Sequence, residues 1–236
     1  MDLEEMVASH LAHRRVLAHG VADLEPAGEY LAGLAGEDDL DLPRAVSIAV
    51  RFPRHIVERL ARGPSRTYLY YYREVNTRLN LIALEVDSIL ASQGYRAVPV
   101  PASRRTGKER VESAFPHRLA ANLAGLGWIG KSGLLVRADV GPRLRLVTVL
   151  TDAPLGTAEP VQDRCGTCTA CIEACPAGAL AEREGSDDWR GNRVDRVACD
   201  RYLAKVRDRH GVRVCGLCLV ACPWGVSSPS RSVGSA

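Results

Sequence analysis

A chain of 236 residues is long enough to bury a sizeable core, and a 46% hydrophobic content with a net charge of +3 is that of an ordinary globular protein. Lys and Arg are spread along the chain rather than massed, which argues against nucleic acid as a partner, and no run of eighteen apolar residues offers a membrane span. Asp2, Glu4 and Glu5 stand where the basic region of a secretory leader would lie, so a soluble cytoplasmic protein is expected.

In chain order, the first strong pattern is Ala45 to Val50, apolar but for Ser47 and so expected as a central strand. From Thr67 to Gln93, residues Tyr72, Val75, Leu79, Ile82, Val86 and Ile89 recur at steps of three and four, which marks one face of a long helix. Gly94 offers the left-handed residue on which helices end, and Tyr95 to Val100 follows as a short strand. Tyr68, Tyr70, Tyr71 and Tyr72 cluster near the start of the helix. Consecutive helical positions point all round the axis, so stacking on a flat ligand and plain packing are both open. Arg104, Arg105, Lys108 and Arg110 form the one basic knot, either a solvated loop or a contact for phosphate or an acidic substrate.

Pro116 is placed to open a helix that buries Leu119, Leu123 and Leu126. Leu134 to Val136 and Leu144 to Leu150 then read as strands joined across Asp139-Val140-Gly141-Pro142 in an antiparallel hairpin. The whole predicts an α+β fold over residues 1–154, a mixed sheet with helices packed on it. Leu155 to Arg164 is the linker into a second module spanning 155–226, within which Glu182 to Asn192 reads as a surface insertion. The Ser-rich tail over 227–236 is expected to be disordered.

Gly125 to Ser132 satisfies the phosphate-loop pattern G-x-x-x-x-G-K-S, and Leu146 to Leu150 with Asp152 imitates the strand that holds magnesium in nucleotide hydrolases. A phosphate loop must follow a strand and open a helix, so that helix N–H groups face the phosphates. Here the preceding segment is helix-like and the following one strand-like, and Trp128-Ile129 crowds the turn. A nucleotide-dependent protein is therefore the weakest of three functional readings.

All eight cysteines lie after residue 164. Cys165, Cys168, Cys171 and Cys175, followed by Pro176, make the C-x2-C-x2-C-x3-C-P run of two-cluster ferredoxins. Cys215, Cys218 and Cys222 before Pro223 repeat its end one cysteine short, with Cys199 sixteen residues upstream as the fourth. A C-x3-C step carries the chain about 6 Å along a helix axis, too far round for one cube, so the last cysteine of each run should serve the other run's cluster. The expected ligands are Cys165, Cys168, Cys171 and Cys222 for one 4Fe-4S cluster and Cys175, Cys199, Cys215 and Cys218 for the second. Zinc needs fewer thiolates than this spacing crowds together, and a disulfide framework needs an oxidising compartment. Cys199 alone also reads as a small buried hydrophobe.

With these motifs located, the chain resembles the epoxyqueuosine reductase family and its shorter double-cluster relatives. The resemblance rests on Ala124 to Lys131, the first cysteine run, Cys199-Asp200-Arg201-Tyr202-Leu203, and Val214 to Trp224. It implies a nitroreductase-like α/β domain over 1–154 that receives a corrinoid or a small-molecule substrate, joined to a ferredoxin-like module. It also implies electrons supplied by a low-potential flavodoxin- or ferredoxin-type protein and passed one at a time to a base-off cobalamin. The resemblance makes Cys199 a ligand. Glycines beside Trp128 and Lys131 allow close backbone approach, so these two read either as lining a cofactor-binding groove between the domains or as the amphipathic cover of a tight connection. Family members that act on tRNA carry a helical extension after the second run, whereas this chain stops fourteen residues past Cys222, so tRNA is not the expected substrate. The family's proton-donating Asp has no exact counterpart in Val111-Glu112-Ser113-Ala114; Glu112 and His117 are the catalytic candidates nearest to it. The rival reading is a ferredoxin-type electron carrier without substrate chemistry of its own.

Overall fold

The structure, a computed structural model, describes residues 1–32, 42–103, 115–181 and 194–226. The basic knot at Arg104, Arg105, Lys108 and Arg110, the candidate acid Glu112, the 182–192 stretch and the 227–236 tail all lie outside the described residues.

Four strands form the main sheet in the order β1-β2-β6-β3: β1 (Ala18–Asp23), β2 (Arg44–Arg51), β3 (Ala97–Val100) and β6 (Leu144–Thr151). β2 is central, as expected of a run that is apolar but for Ser47, itself fully buried. Ala45 and Ala49 face one cluster of buried residues, while Val46, Ile48 and Val50 face another. Every pairing in this sheet is antiparallel, which corrects the expected mixed sheet. The reason lies in the connection from β2 to β3 through the long helix α4 (Arg66–Ser92). It brings both strands in with the same direction but leaves one place between them, and β6 fills that place running the other way.

The expected hairpin is also corrected. Leu135–Val136 (β5) pairs with Trp128–Ile129 (β4) in a separate two-stranded sheet, and β6 goes to β2 and β3. Arg137 and Gly141 still exchange backbone hydrogen bonds across the turn, so the chain does reverse there. Beyond the turn Leu144 leaves to join the larger sheet, where Val147, Val149 and Leu150 are fully buried.

Ser65 caps α4 by accepting from the Tyr68 N–H, and Gly94, with φ +85°, turns the chain out after the C-cap Gln93. Leu79, Ile82, Val86 and Leu90 are fully buried under one face of the sheet, each contributing about 1.5–3 kcal/mol. Helix α5 (His117–Leu123), with Pro116 as its N-cap, covers the other face through Leu119, Ala120 and Ala121. Its place directly before the β4-β5 turn is helix then strand, the reverse of a phosphate loop.

Residues 152–169 run without regular structure but are not a free tether. Ala158 N–H donates to Val21 O at 2.9 Å, and Asn122 Nδ2 donates to Val161 O at 2.9 Å. The cysteine-bearing part is built from α6 (Ala170–Glu173), α7 (Arg196–His210) and α8 (Leu217–Ala221). A third apolar cluster of Phe52, Val57, Leu60, Tyr68 and Val214, with Leu219 and Val220 against it, packs α8 onto the first part of the chain. Among the described residues no helix is long and apolar enough to cross a membrane.

Candidate iron–sulfur centres and the adjoining cleft

All eight cysteines are half-buried and none is paired in a disulfide. Cys165 and Cys168 sit on a turn closed by a hydrogen bond from Cys168 N–H to Cys165 O at 3.1 Å, and Cys171 follows in α6. Cys222 is the C-cap of α8, where extended backbone (φ −64°, ψ 122°) turns the chain away before Pro223. These four thiols line one cavity, together with Gly130, Lys131 and Trp224. Cys175, Cys199, Cys215 and Cys218 line a different one. The structure thus brings together the two sets in which each run lends its last cysteine to the other.

The thiols act on one another mostly within each set, although Cys171 of the first also raises Cys218 of the second. Burial pushes the Cys222 thiol up, and Cys165 and Cys171 add to the rise. Burial likewise raises Cys199, with Cys175 and Cys215 adding to it, and takes Cys218 to about 12. Thiols held this far up give their protons only to a strong cationic partner, which is what iron supplies on binding. Among the described residues no three His, Cys, Asp or Glu groups converge on a single ion position. Four thiols around one cavity and four around another are the donor sets that two cubes of iron and sulfide take. Gly130 fits the same reading, since an added Cβ there would lie 3.2 Å from Cys165 Sγ.

The second set opens on a cavity of about 590 Å³ whose wall also includes Tyr68, Tyr72, Ser103, Arg118 and Leu134. Tyr68, Arg118, Gly133, Leu134 and Arg196 are shared with a neighbouring cavity of about 360 Å³ lined further by Phe52, Phe115, His117 and Arg145. The two make one cleft between the sheet and the cysteine-bearing part, in the size range of small-molecule and cofactor sites.

His117 is on this wall. Its Nε2 lies 3.0 Å from Pro101 O and must donate there, so Nδ1, 2.8 Å from Thr148 Oγ1, accepts. Burial holds its pKa down to about 4, and the ring is neutral at pH 7. Arg145 crosses the floor, donating from Nε to Asn76 Oδ1 at 3.1 Å and from Nη2 to Tyr72 OH at 3.1 Å, with its guanidinium 4.3 Å above the Tyr72 ring. Of the tyrosine group, Tyr68 stacks on Phe52 and Tyr72 carries Arg145, while Tyr70 and Tyr71 face outward.

Trp128 and Lys131 are placed by the first cysteine set, not in the larger cleft. Trp128 is buried and meets Trp224 edge to face, with ring centroids 4.9 Å apart. One residue that sequence reasoning missed is Arg143, which is 4% exposed. It donates to Trp224 O at 2.8 Å, Cys222 O at 3.2 Å and Val220 O at 3.3 Å, tying the end of α8 to the start of β6. Two arginines two positions apart at the head of a mainly apolar strand were the available sign of a polar task there.

Comparison with known proteins bears on both parts. Residues 164–225 match the family described as the 4Fe-4S double cluster binding domain. An epoxyqueuosine reductase of Aliivibrio fischeri is 30% identical over 166 residues, 65% of this chain and 39% of that protein. The Escherichia coli enzyme of the same name is 35% identical over 118 residues, 45% of this chain and 29% of its own length. The chain thus spans well under half of these curated relatives. In fold, a catabolic reductive dehalogenase in complex with 3-bromo-4-hydroxybenzoic acid superposes with a TM-score of 0.77 at 20% identity, covering 95% of this chain and 33% of that one. Epoxyqueuosine reductase from Streptococcus thermophilus gives 0.59 at 18% identity, covering 95% of this chain and 66% of that one.

Proposed function

From a chain related to the epoxyqueuosine reductases and carrying a 4Fe-4S double-cluster domain, we propose an iron–sulfur reductase whose electrons are delivered into the cleft beside the second cysteine set. Cys165, Cys168, Cys171 and Cys222 would hold the cluster that faces a low-potential flavodoxin- or ferredoxin-type donor, and Cys175, Cys199, Cys215 and Cys218 the one that faces an acceptor in the cleft; the pair would supply one-electron transfer between donor and cleft. The observation that carries this reading is that all four thiols of the second set line the roughly 590 Å³ cavity together with Tyr68, Arg118 and Leu134, whereas the first set lines a separate site.

A base-off cobalamin suits the cleft. Its walls offer apolar and aromatic faces from Phe52, Tyr68, Phe115 and Leu144. Among the described residues His117 is the one histidine lining it, and with both ring nitrogens engaged it offers cobalt no imidazole. When bound, the corrinoid supplies a metal centre that takes electrons singly and passes them to an organic substrate. One fold neighbour, a reductive dehalogenase, is described as B12-dependent. The protein's own part is to position: Arg145, fixed by Asn76 and Tyr72, keeps a positive charge at the cleft floor where negative charge arrives with the electrons. Of the two acid candidates, His117 is held neutral and fully bonded, which leaves Glu112 as the carboxylate to test by Glu112→Gln.

Anaerobically purified protein should hold about eight irons, and titration with cobalamin should change the corrin spectrum. Iron without any corrin response would favour the electron-carrier reading. A fold neighbour was solved with an epoxyqueuosine-modified tRNA stem loop, so such a stem loop belongs among the substrates offered, and its turnover would correct the expectation against tRNA.

A further inference from the structure

The glycine-rich turn that imitates a phosphate loop has no phosphate role in the proposed reductase, yet it is built to tight tolerances. A Cβ on Gly127 would lie 2.3 Å from Val136 O, and one on Gly130 would lie 2.9 Å from Val136 Cγ2 and 3.2 Å from Cys165 Sγ. The turn is pressed between β5 and a cluster ligand. Within it Trp128 is 1% exposed, and its indole Nε1–H makes no hydrogen bond of ordinary geometry. An orphaned buried donor costs about 1–3 kcal/mol, so it needs an acceptor in the working protein.

The acceptor is at hand. The Trp128 side chain and the Lys131 backbone N–H both reach the Cys165 thiol, and Gly130 and Lys131 line the same cavity as it does. A neutral thiol accepts hydrogen bonds weakly, whereas a thiolate on iron carries negative charge and accepts them well. Trp224 fixes the indole from the side by its edge-to-face contact at 4.9 Å.

We infer that the turn from Gly127 to Lys131 is a hydrogen-bonding cradle for the iron-bound sulfur of Cys165, with Trp128 Nε1–H its side-chain donor, and that it raises the reduction potential of the first cluster. Donors to a cluster's sulfurs stabilise the more negative, reduced state. The inference rests on the cluster reading above.

The test compares unmutated protein, Trp128→Phe, and protein carrying 3-benzothienylalanine at position 128, which keeps the bicyclic shape and loses the N–H. Each is titrated anaerobically with reductant and followed by electron paramagnetic resonance. One of the two midpoints should fall in both altered proteins, by about a tenfold change in the oxidised-to-reduced ratio, 59 mV for a one-electron couple, while the other stays in place. Two unchanged midpoints in protein holding about eight irons overturn the inference. If Trp128→Phe loses iron, the benzothienyl protein alone decides. Failure of the unmutated protein to hold two clusters is a different outcome and removes the proposed function itself.

Discussion

Gly141 and Gly225 lock two backbones together by lacking side chains. A Cβ on Gly141 would lie 2.0 Å from Trp224 O, and one on Gly225 would lie 2.0 Å from the Val140 carbonyl carbon. Both have positive φ, +61° and +71°, so the turn before β6 and the segment after Cys222 meet at closer range than any side chain permits. This contact fixes where Cys222, the last cysteine of its run, stands relative to Cys165 and Cys171.

Gly225→Ala should therefore separate the two segments. Positive φ alone costs about 1–3 kcal/mol for a residue with a side chain, and overlap with backbone atoms adds to it. The expected result is a lower melting temperature and a fall in iron content concentrated in the first cluster, read by melting curves and iron analysis on the same sample. Full iron with unchanged melting would refute the role given to this contact.

Arg143→Met removes the donors to Trp224 O, Cys222 O and Val220 O from a buried site. Three carbonyls lose a charged partner, at about 1–3 kcal/mol for each one left unsatisfied. Arg143→Lys should restore little, because a single ammonium cannot span the carbonyls that the planar fork reaches. Denaturant unfolding of the three proteins, with iron content alongside, checks both expectations.

The cysteine arithmetic and the long helix were legible because each rests on local spacing: thiolates and apolar residues alike recur three and four positions apart. Strand directions and partners were not. Leu144 to Leu150 reads equally well as half of a hairpin or as the filler between β2 and β3, since strand pairing is settled by what α4 places on either side, at long range in sequence. Trp128 and Lys131 could be singled out from their glycines but not located, because the turn's neighbour is Cys165, more than thirty residues on. Arg143 was hidden for a similar reason: its acceptors are backbone carbonyls about eighty residues away, and a carbonyl leaves no mark on a sequence.

His117 makes a prediction about pH. Its folded pKa lies near 4, below the ordinary 6.5, so between these values the unfolded chain takes up a proton that the folded chain refuses. Stability should be fully present above about pH 6.5 and fall as the pH drops toward 4, by at most about 3 kcal/mol over the window. His117→Gln, which keeps a donor and an acceptor, should flatten that slope between pH 7.5 and 5.5 in denaturant unfolding. An unchanged slope would mean that His117 is not the group responsible.

The exchange of cysteines between runs yields the most direct prediction. Cys222 lines a cavity with Cys165, Cys168 and Cys171, whereas Cys175 lines the other with Cys199, Cys215 and Cys218. Cys222→Ser should therefore weaken the cluster built on the first run, although Cys222 belongs to the second. Cys175→Ser should weaken the cluster that opens on the cleft, although Cys175 belongs to the first. Each variant should retain about four irons. Reduction of a corrin or substrate in the cleft should collapse in Cys175→Ser, because no electron then reaches the cleft, and the remaining cluster should still accept an electron from the donor. In Cys222→Ser the cleft-side cluster survives but loses its supply through the first cluster, so a small chemical reductant should restore turnover that a protein donor cannot. The opposite pattern, with chemical rescue in Cys175→Ser and none in Cys222→Ser, would reverse the order of the two clusters and with it the direction of electron flow.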